Sequence, residues 1–152
     1  MKYVFKSLPK DSFYYELLDF LKIISTEFIL VMREEIEFDE NAGSLLNDLS
    51  LNLLKKRYSS EWPGTRLLGG HRAEIFYYKV NDDTVNILKK YSISLFDWLA
   101  PRLPEDLTFF RKDGTLILGS IVHERDYWSD FTKDELSILT EKFPSLKEEL
   151  CE

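Results

Sequence analysis

The chain has 152 residues, of which 44% are hydrophobic and 31% are charged, and its formal net charge is −7. This length and composition predict one globular domain spanning residues 1–152. The negative charge argues against duplex DNA or RNA as a partner, because phosphate binding needs a basic surface, and it favours a basic protein partner. Acidity that merely keeps the protein soluble is the alternative interpretation.

Membrane and secretory signals are missing from the sequence. The longest apolar run, residues 28–32, is far shorter than the ~20 residues that cross a bilayer, and the first residues lack the apolar segment of a signal peptide. The single cysteine, Cys151, provides neither a disulfide framework nor a metal-binding spacing. We therefore expect a cytoplasmic protein without a membrane partner.

The first forty residues predict a helix, a buried strand and an acidic connection. Asp11 or Ser12 begins a run with apolar residues at helical spacing as far as Ile24, and residues 26–33 are continuously apolar, as in a central strand. Five carboxylates follow within residues 34–40. This acidic segment lacks the pattern of a calcium loop, so a solvated connection or a docking site for a basic partner remain its two interpretations.

The middle of the chain alternates between predicted helices and a predicted strand. Leucines at helical spacing predict a second helix from residue 44, with the basic residues 55–57 at its C-terminal end. Turn-forming residues predict a loop at 58–70, followed by a strand at 73–80. Asn81 then caps a third helix, and residues 94–99 form further helical turns before Pro101.

The last fifty residues predict a β-hairpin and a capped helix. Asp113-Gly114 is typical of a two-residue type I′ turn, which places Phe110 opposite Ile117, Phe109 opposite Leu118 and Thr108 opposite Gly119. Little side-chain volume remains at Gly119, where a helix, an aromatic ring or a ligand could approach, and we expect a helix. After the hairpin, Thr132 and Glu135 form a capping box for a helix that Pro144 ends.

These elements together predict an α+β fold. We expect a single domain with a mostly antiparallel sheet of about four strands, including the hairpin at Asp113-Gly114, packed by about five helices.

Two histidines are the weak candidates for catalysis. His123-Glu124 lacks the second histidine of a zinc-hydrolase motif, and in a strand these two side chains point to opposite faces. His71 could face His123 across the sheet and form a metal or general-base site with Glu74 or Asp126. Neither a nucleophile elbow nor a phosphate loop nor a dinucleotide fingerprint is present, so we expect no cofactor and predict no metal site.

The candidate binding residues are Trp62, Arg66, Trp128 and Glu124. Trp62 and Arg66 share the predicted loop, and Trp128 follows the hairpin; Trp and Arg are enriched at the energetic centres of interfaces. Tryptophans at loop and helix ends also cover the edge of a core, which is the alternative interpretation of both rings.

Several short segments carry a resemblance to other proteins. These are LFDWL at 95–99, LPEDL at 103–107, Asp113-Gly114, SIVHE at 120–124, then Trp128 and Thr132, with WPGT at 62–65 as a further part of the pattern. In these segments the C-terminal half resembles a group of small uncharacterised bacterial proteins. The resemblance implies a bacterial, cytoplasmic origin, but it implies no activity.

Three functions are compatible with the sequence. The first is a non-enzymatic protein-binding module, of the kind in which an immunity protein neutralises a toxin, with a basic partner. The second is a small hydrolase or metal-dependent enzyme that uses His71 and His123, and the third is a ligand-sensing domain with an aromatic pocket. The oligomeric state is left open.

Overall fold

The computed structural model describes residues 2–152, which form an antiparallel sheet packed against a layer of helices. The strands are β1 (Lys2–Phe5), β2 (Glu27–Arg33), β3 (Leu53–Ser59), β4 (Glu61–Trp62), β5 (Thr65–Arg66), β6 (Ala73–Lys79), β7 (Glu105–Phe110), β8 (Leu116–Ile121), β9 (Asp126–Asp130) and β10 (Leu150–Cys151). The α-helices are α1 (Asp11–Ile24), α2 (Glu40–Leu49), α3 (Asp82–Tyr91), α4 (Lys133–Lys142) and α5 (Pro144–Glu148). Short 3₁₀ turns lie at Ser50–Asn52, Leu95–Asp97 and Val122–Glu124.

The main sheet has eight strands in the order β10-β1-β9-β8-β7-β2-β6-β3, and every neighbouring pair is antiparallel. The prediction of about four strands is therefore wrong. The additional strands are short or polar, and most of them pair with distant segments: Tyr3 of β1 pairs with Ser129 of β9, near the opposite end of the chain. The residues near β1 in the sequence do not indicate which distant strand will pair with it.

The predicted second helix is correct only in its first part. Helix α2 begins after Asp39, whose side chain accepts a hydrogen bond from the backbone N–H of Asn41 at 3.0 Å, and it ends at Leu49. From Leu53 the chain instead forms β3, which pairs along β6. The leucine spacing fits a helix, but hydrogen bonding to an available strand overrides this local preference.

Several local predictions are confirmed. Strand β2 lies between β6 and β7 and is buried on both faces, as its continuous apolar run indicates. Asn81 forms a capping box with Thr84 at the start of α3, and Thr132 forms one with Glu135 at the start of α4. These caps need only side chains three residues apart, so the local sequence suffices to specify them.

The hairpin between β7 and β8 forms, but with a different turn. Gly114 has a φ of 86°, and its N–H donates to the Arg111 carbonyl at 2.9 Å, so residues 112–114 form a three-residue loop instead of a type I′ turn. Phe109 pairs with Leu118 as predicted, whereas Phe110 pairs with Leu116. Ile117 is the additional residue of the resulting bulge and is buried with Leu118 in the helix-side core, although strict strand alternation would place these two neighbours on opposite faces.

The two faces of the sheet differ in what covers them. Buried side chains from all five α-helices form one apolar cluster with alternate residues of the strands, among them Phe28, Leu30 and Phe109. On the opposite face, Ile29 and Val31 belong to a separate small cluster beneath the β4–β5 hairpin. Within residues 2–152, no helix is long and apolar enough to cross a bilayer.

Candidate functional site

The β4–β5 hairpin brings the Trp62 region into contact with Trp128. Gly64, in the turn of this hairpin, has a φ of 85°, and a β-carbon placed on it would lie 2.7 Å from Cη2 of Trp128 and 2.8 Å from Cδ1 of Ile121. Only a residue without a side chain permits this approach. The two tryptophan regions that the sequence singled out separately therefore belong to one surface of the protein.

Trp62 itself is largely buried, with 7% of its surface exposed. Its indole N–H donates to Oδ2 of Asp106 at 3.0 Å, and Oδ1 of the same carboxylate accepts from the backbone N–H of Val122 at 2.9 Å. Burial raises the pKa of Asp106 above its ordinary value, while the hydrogen bonds from Val122 and Trp62 oppose part of that rise. In the free protein, Trp62 thus anchors the hairpin to the sheet.

Trp128 is half-buried and lies over Gly119, its cross-strand partner. A β-carbon on Gly119 would lie 2.7 Å from Cε2 of Trp128. The occupant of the space at Gly119 is therefore an aromatic ring, and the predicted helix at this place is wrong. Arg66 is exposed and binds Glu61 of its own hairpin at 3.2 Å through Nη2.

One end of the sheet collects carboxylates from three separate parts of the chain. Because neighbouring strands are antiparallel, the end of β2 meets the start of β7, with Val31 paired to Glu105, and the end of β8 meets the start of β9, with Ile121 paired to Asp126. We call this surface the acidic end. It comprises Glu34, Glu35, Glu105, Asp106, Glu124 and Asp126.

The carboxylates of the acidic end form an outer and an inner group. Four of these residues are exposed to solvent: Glu34, Glu35, Glu124 and Asp126. The other two are buried, with only 1% of the surface of Glu105 and 2% of the surface of Asp106 exposed. Arg33 donates from Nε to Oε1 of Glu105 at 2.7 Å, and its Nη1 lies 3.9 Å from Oε1 of Glu35. The other oxygen of Glu105 is buried without a hydrogen-bond partner in the described chain.

The cations nearest these carboxylates are already engaged. Arg33 is held by Glu105 on its inner side, and Arg125, next to Glu124, lies with its Cζ 5.0 Å from the ring centroid of Phe96. Arg72 also lies at this end, where its carbonyl accepts a hydrogen bond from the backbone N–H of Glu34 at 3.0 Å. The acidic end thus contains six carboxylates beside these three arginines, so carboxylates outnumber the cations that lie among them.

His123 also lies at the acidic end, but its environment differs from the prediction. Val122–Glu124 forms a 3₁₀ turn and not a strand, so the side chains of His123 and Glu124 do not lie on opposite faces. Nε2 of His123 is 3.9 Å from Oε1 of Glu124, with 44% and 61% of the two side chains exposed. The prediction that strand alternation separates His123 from Glu124 is therefore wrong.

The two histidines emerge from strands that are not neighbours. His71 precedes β6 by two residues, whereas His123 follows β8, and β7 and β2 lie between these strands. Three strand spacings amount to ~14 Å, which exceeds the reach of a direct acid-base pair. Glu74, the carboxylate suggested for such a site, binds the hydroxyl of Tyr58, an interaction that raises the pKa of that tyrosine. In residues 2–152, no group of three or more His, Cys, Asp or Glu side chains could hold a metal ion.

Sequence reasoning missed the two inner carboxylates, Glu105 and Asp106. They belong to the LPEDL segment, whose Pro-Glu-Asp order resembles an ordinary solvated turn. In the structure, Asp106 has a φ of 59°, so the backbone at the start of β7 turns its carboxylate inward to Trp62 and Val122. The one indication in the sequence was the residue type at position 106, because aspartate tolerates the left-handed backbone that occurs there at the start of a strand.

Comparison with known proteins adds no relative. No protein-family model matches this sequence, and no curated protein or solved structure is significantly similar to it. The resemblance of the C-terminal half to a group of bacterial proteins remains a prediction from its motifs.

Proposed function

We propose that the protein is a non-enzymatic binding module that docks a basic protein partner at the acidic end of the sheet. The observation that carries this proposal is the position of exposed carboxylates along one end of the sheet, two in the loop after β2 and two at the turn and first residue of β9. Such a surface attracts a cationic partner over long range and raises the rate of association.

The local geometry supports a surface that is already formed before binding. The Arg33–Glu105 ion pair and the hydrogen bonds of Asp106 fix the backbone beneath the exposed carboxylates. Preorganised charges lose little conformational entropy on binding, which favours affinity.

We further propose that the partner is a toxin and that this protein is its immunity protein. A toxin that acts on nucleic acid must itself carry a basic surface, because phosphate contacts supply most of the binding energy. A small acidic protein that covers such a surface would block access to the nucleic acid.

The test compares two variants with equal charge. Glu124→Gln/Asp126→Asn removes two carboxylates at the acidic end, and Glu141→Gln/Glu148→Gln removes two exposed carboxylates from helices α4 and α5. Each variant has a net charge two units less negative than the parent. The parent protein is used to capture its partner from cells of the native host, and the captured protein is identified and titrated by calorimetry against all three forms.

The proposal requires a basic captured protein whose affinity falls with added salt and falls at least about tenfold in the Glu124→Gln/Asp126→Asn variant alone. Equal losses in the two variants, or a partner that binds independently of salt, would contradict docking at the acidic end. The immunity role is tested separately: cells that produce the captured protein should stop growing, and co-production of the parent protein should restore growth.

A further inference from the structure

Strand β3 ends the eight-stranded sheet and pairs only with β6. Its seven residues span ~23 Å, and residues 54–58 are all exposed. One edge of β3 therefore presents backbone N–H and C=O groups to solvent, which is the arrangement that accepts an additional strand.

This edge is basic in a protein that is acidic as a whole. Lys55, Lys56 and Arg57 follow one another along β3, and the register places them opposite Tyr77, Phe76 and Ile75 of β6. Because side chains alternate along a strand, Lys55 and Arg57 lie on the hairpin side of the sheet and Lys56 on the helical side. The cations thus flank the open edge from both faces.

Aromatic rings hold these cations close to the strand. Nζ of Lys55 lies 4.6 Å and Cζ of Arg57 lies 5.9 Å from the ring centroid of Tyr77, and Nζ of Lys56 lies 5.5 Å from that of Phe76. None of the three cations forms an ion pair with a carboxylate anywhere in the described chain. They are positioned, but their charge is not compensated.

We propose that the open edge of β3 binds an extended acidic segment of another protein as an additional strand of the sheet. Backbone hydrogen bonds along the edge would provide affinity, and Glu or Asp side chains at three successive positions would meet Lys55, Lys56 and Arg57 on both faces. This surface is separate from the acidic end, so the proposal does not depend on the proposed function.

Two other occupants fit the edge less well. Pairing with β3 of a second copy would bring like charges opposite one another, which is destabilising in a sheet. A single-stranded nucleic acid needs cations along one continuous groove, whereas these three cations alternate between two faces of the sheet.

The experiment measures binding of a fluorescent ten-residue peptide with three successive glutamates flanked by valine and threonine. The protein variant Lys55→Gln/Lys56→Gln/Arg57→Gln is compared with Lys133→Gln/Lys142→Gln/Lys147→Gln, which removes the same charge from exposed positions of α4 and α5. A second peptide carries the same side chains with its central backbone nitrogens methylated, so that it cannot pair with a strand. A fifteen-residue oligothymidylate serves as the nucleic-acid probe.

We expect the acidic peptide to bind the parent and the α4–α5 variant equally, and to bind the β3 variant at least about tenfold more weakly. The methylated peptide should not bind, and hydrogen exchange should slow at β3 amides when the unmodified peptide is present. Several results would overturn the proposal: no peptide binding by the parent, equal binding by the β3 variant, tighter binding of the oligothymidylate, or self-association of the parent that the β3 substitutions abolish. The last result would assign the edge to a second copy. Absence of all binding would leave protection against aggregation as the role of these cations.

Discussion

Trp128 packs directly on Gly119 on the hairpin side of the sheet, and we expect Gly119→Ala to be strongly destabilising. The new β-carbon would lie 2.7 Å from Cε2 of Trp128, whereas ordinary van der Waals contact begins at 3.4 Å. The ring also touches Gly64 of the β4–β5 hairpin, so it cannot move without displacing that turn. Overpacking of this kind costs about 1–3 kcal/mol, and the confinement of the ring places the expected value near the upper end.

A double-mutant cycle isolates this contact from other effects of the substitution. In a Trp128→Ala background the methyl group at position 119 meets no ring, and replacement of a glycine within a strand should then stabilise the protein by roughly 0.5–1 kcal/mol. The sign of the Gly119→Ala effect should therefore reverse, with a coupling free energy of about 3.5 kcal/mol.

The free energy of unfolding is measured for the four proteins by urea denaturation, followed by circular dichroism because the substitution of Trp128 alters fluorescence. In the parent background, Gly119→Ala should lower the melting temperature by roughly 5–10 °C. If Gly119→Ala costs the same free energy in both backgrounds, then the ring of Trp128 is not what excludes a side chain from this position, and the reasoning fails.

Three further predictions concern other features of the fold. Burial raises the pKa of Asp106, so the protonated carboxyl is favoured in the folded state, and the free energy of unfolding of the parent relative to Asp106→Asn should fall as the pH rises from below 3.8 through the raised pKa. Urea denaturation at several pH values measures this difference, and a difference that does not change with pH would show that the carboxylate is solvated. Arg111 binds both oxygens of Glu135, at 2.7 and 2.6 Å, and Arg111→Gln should cost about 2–3 kcal/mol in thermal unfolding, whereas a cost below about 0.5 kcal/mol would show a solvent-screened pair. Gly114→Ala should destabilise the protein by about 1 kcal/mol because Gly114 has a φ of 86°, whereas Gly43→Ala should stabilise it by about the same amount because open space surrounds Gly43 in α2. The two substitutions must change the free energy of unfolding with opposite signs in the same denaturation assay.

Elements with local signals were predictable from the sequence. The capping boxes of α3 and α4 need only pairs of side chains such as Asn81 with Thr84, and the buried strand β2 is evident from its continuous apolar residues. The candidate tryptophans were also found, because large rings near turns stand out in composition. Their roles were not, since Trp62 proved to be a buried hydrogen-bond donor to Asp106.

Features that depend on distant partners were not predictable. Residues 53–59 have the leucine and lysine pattern of a helix end, yet they form an edge strand because β6 offers a hydrogen-bonding partner. Lys55, Lys56 and Arg57 therefore lie along the edge of a sheet and not at the C-terminal end of a helix. The local sequence does not indicate this position, on which the proposed binding at β3 depends.

The sequence by itself determined the α+β class, the helix caps and the central strand, because these depend on interactions within a few residues or on hydrophobic periodicity. Tertiary structure alone decided the eight-stranded sheet and the collection of carboxylates at one end of it. These features arise from pairing between segments that lie far apart in the chain, and the energy of such pairing depends on which strand is available, not on the preference of the residues themselves.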